Sequence, residues 1–167
     1  GAGIGYNERT NSAGQKSLNT LAAGANFDFG QANLFALYAV IKEPNGSSAP
    51  ELRAGLIAGG VPAVLVDTGV LPRFLQDARL YHVGARIPLG VGTLIAGYSH
   101  VDDRRATNAD VSSYGIAYTY PLSKRADLNL AVTQVDNNAN AQVLPGGNGY
   151  LGGVTAYGGK DATSFQF

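Results

Sequence analysis

The chain has 167 residues with 12 basic and 12 acidic side chains, so its formal net charge is zero and no positive field exists to hold nucleic acid. Cysteine is absent, which excludes disulfide frameworks and thiolate metal sites. Charged residues make up only 14% while glycine reaches 23, and every apolar run is broken well before the roughly 18 to 20 residues of a spanning helix, whereas a membrane strand needs only about 10 with alternate positions apolar.

Taken from the N-terminus, residues 2–6 read as a ragged first strand. Residues 17–29 place Leu21, Ala23, Ala25, Phe27 and Phe29 on one side, with Thr20, Ala22, Gly24, Asn26 and Asp28 on the other. This is the two-residue period of a strand with one wet face. Gly30-Gln31 turns the chain, and residues 32–42 return with Leu34, Ala36, Tyr38 and Val40 on one face. Phe35, Leu37 and Ile41 make the opposite face less polar than expected.

Residues 43–78 carry four prolines and five glycines and are too broken for a long strand; residues 54–58 and 71–77 are expected to form a helical turn or a short strand. The clearest hairpin follows. Tyr81, Val83, Ala85 and Ile87 alternate with His82, Gly84 and Arg86, then Pro88-Leu89-Gly90 turns, then Leu94, Ala96 and Tyr98 alternate with Thr93, Gly97 and Ser99. This turn is expected to set His82 opposite a residue near 96.

A charged loop at 102–108 leads to a strand over 110–120, with Tyr114, Ile116, Tyr118 and Tyr120 on one face and Ser113, Gly115, Ala117 and Thr119 on the other. A tight connection at 121–124 returns residues 126–136, where Leu128, Leu130 and Val132 oppose Asp127, Asn129, Ala131 and Thr133. An Asn/Gly-rich loop spans about 137–161, and a last strand begins at Ala162 with Phe165 and Phe167 outward. The total is about eight antiparallel strands, longer than those of ordinary globular sheets. Short turns near 30, 88 and 122 alternate with long loops, the habit of membrane barrels with short turns at one end and long loops at the other. The face opposite the apolar one is built from Gly, Ala, Ser, Thr and Asn, as suits a wet lumen.

Residues 118–127, Tyr-Thr-Tyr-Pro-Leu-Ser-Lys-Arg-Ala-Asp, resemble the tyrosine-rich strand and Leu-Ser-Lys-Arg turn of the general trimeric porins of beta-proteobacteria. Residues 81–86, 26–30 and 152–161 resemble the same family in the same order, so the likeness covers most of the chain. The resemblance implies a transmembrane β-barrel of 16 strands in the Gram-negative outer membrane, trimeric, with no cofactor, passing small hydrophilic solutes and ions. About eight strands are half of that barrel. The chain, which lacks Met and a basic-then-apolar leader, is therefore expected to be the C-terminal half, trimmed at both ends, without the family's pore-narrowing loop.

Six residues on the small polar face are candidates for lining the pore: Arg86, His82, Asp127, Asn129, Thr93 and Ser113. Arg86 either favours anions in the lumen or pairs with a carboxylate and stiffens the wall. Lys42, Arg79 and Asp127 stand at strand ends, facing either lumen or rim water. Residues 102–105 read as a solvated external loop. Tyr81, Tyr98, Tyr118 and Tyr120 are candidates for aromatic girdles at the membrane interfaces, with Tyr114 fitting less well.

No metal site is expected, since His82 and His100 are not directly opposed and no third ligand has suitable spacing. The glycine runs at 55–60 and 149–153 lack the Lys-Ser/Thr of a phosphate loop, and no nucleophile elbow is present, so no enzyme is expected. Two rivals remain open: a closed eight-stranded outer-membrane barrel without a channel, serving as anchor or adhesin, and a secreted β-sandwich that binds a partner.

Overall fold

Alternation of apolar and small polar residues leaves the chain little choice but extended backbone, and the computed structural model, which describes residues 1–146 and 153–167, shows it. Eight strands form one sheet in the order β1 to β8, each antiparallel to its neighbours in sequence. They are β1 (Ala2–Thr10), β2 (Lys16–Asp28), β3 (Asn33–Lys42), β4 (Asp77–Leu89), β5 (Gly92–Asp103), β6 (Val111–Ser123), β7 (Ala126–Asn137) and β8 (Ala162–Gln166). Among the described residues β1 and β8 each pair with a single neighbour, so the sheet has two free edges.

The connections divide by end. Residues 29–32, 90–91 and 124–125 close tight turns at one end, and the longer connections 43–76, 104–110 and 138–161 fall at the other, residues 147–152 of the last lying outside the described ones. The five residues 11–15 break the rule, making a short link on the long-loop side. Gly30 and Gly90 take left-handed backbone, φ 79° and 62°, which places the turns at residues whose lack of Cβ removes the steric cost.

Three boundaries differ from the sequence reading. The first strand is not ragged: β1 runs through Thr10, paired residue by residue with β2 down to a bulge at Arg9/Thr10. The hairpin turn falls at Gly90-Val91, because Pro88 and Leu89 stay in β4 opposite Thr93 and Gly92. His82 is accordingly paired with Ser99, three residues beyond the expected partner. The connection after β6 likewise narrows to Lys124-Arg125, with a register shift between Pro121 and Ser123 absorbing the proline.

Within 43–76 the chain is helical rather than extended: α1 (Ala49–Ala58), α2 (Ala63–Leu65), a π-helical turn over Val66–Val70, and α3 (Leu71–Phe74). Proline sits in the first turn of α1 and of α3, where its missing N–H costs nothing. Arg53 of α1 grips Asp67 through Nε and Nη2 at 2.7 and 2.9 Å, and Val66, next to Asp67 in sequence, is fully buried. That ion pair holds the Asp67 carboxyl below its ordinary range.

An apolar core is nearly missing. Among the described residues the buried hydrophobic side chains are Ala39, Val66, Val135 and Ala141, while Leu130, Ile116, Val83 and Phe27 stand in the open. Among the described residues no second sheet covers the first. A soluble β-sandwich buries such side chains between two sheets, and this molecule does not.

Candidate functional site

Pairing register sorts every strand residue onto one of two faces. Across the sheet from β2 to β8 the partners run Phe27, Leu34, Ala85, Ala96, Ile116, Val132 and Phe165, an unbroken apolar row. One residue along each strand, on the other face, the row reads Asn26, Phe35, Gly84, Gly97, Gly115, Thr133 and Ser164. A one-residue slip would exchange these sets, so the register is strongly specified.

The apolar face is edged by tyrosines. Towards the long loops Tyr38 packs beside Tyr81, ring centroids 5.2 Å apart, and Tyr98 beside Tyr114 at 5.1 Å. Tyr114, which seemed misplaced from strand position alone, is the direct cross-strand partner of Tyr98. Tyr118 and Tyr120 lie on the same face near the tight turns, where the Tyr118 hydroxyl donates to the Leu89 carbonyl at 3.1 Å. Above the tyrosines that face turns polar: Lys42 opposes Asp77, and Arg79 opposes Asp102. Lys42 and Arg79 thus belong to the edge of the apolar face rather than to the small polar one, whereas Asp127 lies on the small polar one.

All six pore-lining candidates occupy the small polar face. His82 Nδ1 is 2.7 Å from Ser99 Oγ, and Ser113 is the next residue across from Ser99 on β6. Thr93, Thr119 and Asn129 form a row nearer the tight turns, with Thr119 donating to Asn129 Oδ1 at 2.8 Å. Arg86 lies between Asn33 and Ile95, exposed, and makes no ion pair among the described residues. Asp127 is exposed at the start of β7, with β5 and β6 between it and Arg86. His82 and His100 fall on opposite faces, since His100 is paired with Tyr81.

Phe35 is the aromatic residue that strand alternation turns onto this face. Its ring covers Gly84, where an added Cβ would collide with it, and stacks on His82 with centroids 5.6 Å apart and planes 24° from parallel. Glycines 84, 97 and 115 therefore leave a flat strip beside one ring pair. Sequence reading noted Phe35 as an anomaly of alternation but not its glycine partner, which becomes visible only once β3 and β4 are in register.

At the long-loop end the charged segment is not a loose solvated loop. Asp103, 5% exposed, accepts from Arg105 Nε and Nη2 at 2.7 and 3.0 Å, from the Arg105 and Ala109 amides, and from the Thr107 hydroxyl. Burial works to raise its pKa, and these donors outweigh burial and hold the carboxyl below its ordinary range. Arg105 Nη1 reaches on to the carbonyls of Arg73 and Leu75, while Asn138 and Asn140 donate to the carbonyls of Asn108 and Thr107. Three long loops are thereby tied into one cap. The glycines at 55–60 fall in and just after the second half of α1, and of the run 149–153 all but Gly153 lie outside the described residues.

A family profile described as Gram-negative porin covers residues 1–140. No curated protein matches the chain. No solved structure does either.

Proposed function

The chain belongs to the Gram-negative porins, proteins of the outer membrane, and from that premise we propose that its small polar face lines a water-filled channel for passive diffusion of small hydrophilic solutes and ions. The observation that carries the reading is the contrast between adjacent rows. One presents Leu, Ile, Val and Phe to an apolar solvent, the other Gly, Asn, Thr and Ser to water, with almost nothing buried between. The tyrosine pairs then mark the outer interface, the long-loop cap faces outwards, and the tight turns face the periplasm.

Arg86, His82, Asp127, Asn129, Thr93 and Ser113 line the proposed channel, and no cofactor takes part. The free edges of β1 and β8 are the reason to regard the sheet as part of a larger wall. Each unpaired N–H or C=O in hydrocarbon costs several kcal/mol, so additional strands must cover both edges. β1 and β8 run in opposite directions, and an even number of further strands completes the alternation. The closed eight-stranded alternative requires a β1–β8 pairing that is absent among the described residues. Trimeric assembly and a beta-proteobacterial affinity rest on the resemblance of residues 118–127.

The test is a planar-bilayer recording in a salt gradient. Ohmic, unsaturating conductance is expected, and Arg86→Ala should move the reversal potential towards cation preference. An absence of conductance from protein that is folded in the bilayer would reject the channel.

A further inference from the structure

We infer that the polar face carries a subsite for short zwitterionic peptides at its tight-turn end, an inference that rests on this face being the channel wall. A cleft of about 400 Å³ lies there, lined by Asp28, Asn33, Phe35, Arg86, Pro88 and Thr93 together with the turn residues Gly30 and Ala32. The strand side chains of this set all come from the polar face by register.

Asp28 pairs with Asn33, and Asn33 with Arg86, so the backbones that carry a carboxylate and a guanidinium are two strand spacings apart, about 10 Å, with an amide-bearing residue between them. Neither charge is cancelled by an ion pair among the described residues. Asp28 accepts only the Gly30 amide at 2.7 Å, through Oδ1, and Arg86 is exposed. A simple anion meets Arg86 but is repelled by Asp28, and a simple cation meets the converse. A solute with both charges, separated by a few bonds of backbone, satisfies the two together.

Extended chain spans roughly 3.3–3.6 Å per residue, so the termini of a di- or tripeptide fit this separation once the side chains lean in. Its ammonium faces Asp28, its carboxylate faces Arg86, and Asn33 has donor and acceptor for the peptide group between. Phe35, held against Gly84 and His82, offers a ring edge and the free part of its face to an apolar or aromatic side chain. Such a wall contact retains solutes briefly without closing the channel.

The probe is the dipeptide Ala-Phe, followed by saturation-transfer NMR on the whole chain folded in detergent, with N-acetyl-Ala-Phe and Ala-Phe amide as companions. Saturable Ala-Phe binding is expected, weakened by about twofold to fivefold in both Asp28→Asn and Arg86→Gln, the range for single exposed charge contacts. The acetylated peptide should bind no more weakly, and more tightly if anything, in Asp28→Asn, and the amide likewise in Arg86→Gln, because each substitution removes only a like charge. If a variant fails to fold, the two modified peptides make the same comparison on the unaltered chain: each should bind more weakly than Ala-Phe.

Equal binding of all three peptides, or the absence of saturable binding, overturns the subsite. Bilayer conductance separates the two ideas. A conducting protein that binds no peptide loses the subsite and keeps the channel, whereas charge-dependent binding without conductance keeps the site and removes the channel. Failure of both measurements removes both.

Discussion

At Gly84 a single methyl group is costly, because the missing Cβ makes room for the Phe35 ring on one side and would stand 3.0 Å from the Ala96 carbonyl on the other. Gly84→Ala should destabilise the protein by about 1–3 kcal/mol, as overpacking does, and Phe35→Leu in the same chain should recover part of the loss. Urea unfolding in detergent micelles measures both. Asp103 is the complementary case at the long-loop end, five residues beyond Tyr98 and clear of the apolar band. Asp103→Ala removes the acceptor of five hydrogen bonds and leaves Arg105 without its partner, a loss of roughly 3 kcal/mol. Since its folded pKa lies below the unfolded value, the stabilisation is complete above the ordinary carboxylate range and declines as pH falls below it. Protection of the Arg105 and Ala109 amides from hydrogen exchange, measured against the intrinsic rate at each pH, should be strong at pH 7 and fall in strong acid. Neither residue was legible in advance: a glycine beneath a ring depends on register, and charges at 102–105 look the same whether solvated or gathered around one buried carboxylate.

At the scale of elements, the strands were readable because period-two alternation is written residue by residue, as at Tyr81 to Ile87 and Tyr114 to Tyr120. Turn positions were less so. Pro88 and Pro121 suggested turns, yet both remain in strands and the reversals fall two or three residues later, at Gly90-Val91 and Lys124-Arg125. That displacement moved the expected partner of His82 to the wrong residue. In 43–76 the sequence left a helical turn or a short strand open at 54–58 and 71–77; the helical option holds, and α1 begins well before residue 54, with proline in the first turn of both α1 and α3. This segment is joined to the sheet where pairing already ends, with Lys42 opposite Asp77 and the Glu43 amide donating to the Gln76 carbonyl at 2.6 Å. Replacing residues 46–73 with a short flexible link should therefore keep the strand content, read by far-UV circular dichroism. The deletion also removes the Arg73 carbonyl that Arg105 reaches, so protease cleavage within 104–110 should rise. A loss of sheet signal would show that the segment supports the wall.

For the molecule as a whole, the governing fact is that its large apolar side chains are on the outside of a sheet with almost no interior of its own. In water this arrangement is an aggregation hazard; in a bilayer it is a wall. The faces were legible from sequence, since Leu130 and Asn129 alternate without ambiguity, but the number of strands completing the wall is not written in these residues. Arginine at Val83 should cost about 2–4 kcal/mol at membrane depth, while arginine at Ser99 on the opposite face should cost far less. The most direct measurement is site-specific quenching of a fluorophore placed in turn at Val83, Leu130, Ser99 and Thr133, in protein reconstituted into vesicles. Brominated lipid should quench the first two and aqueous iodide the last two. Iodide access at Val83 and Leu130, with Ser99 and Thr133 quenched by lipid, would contradict the account.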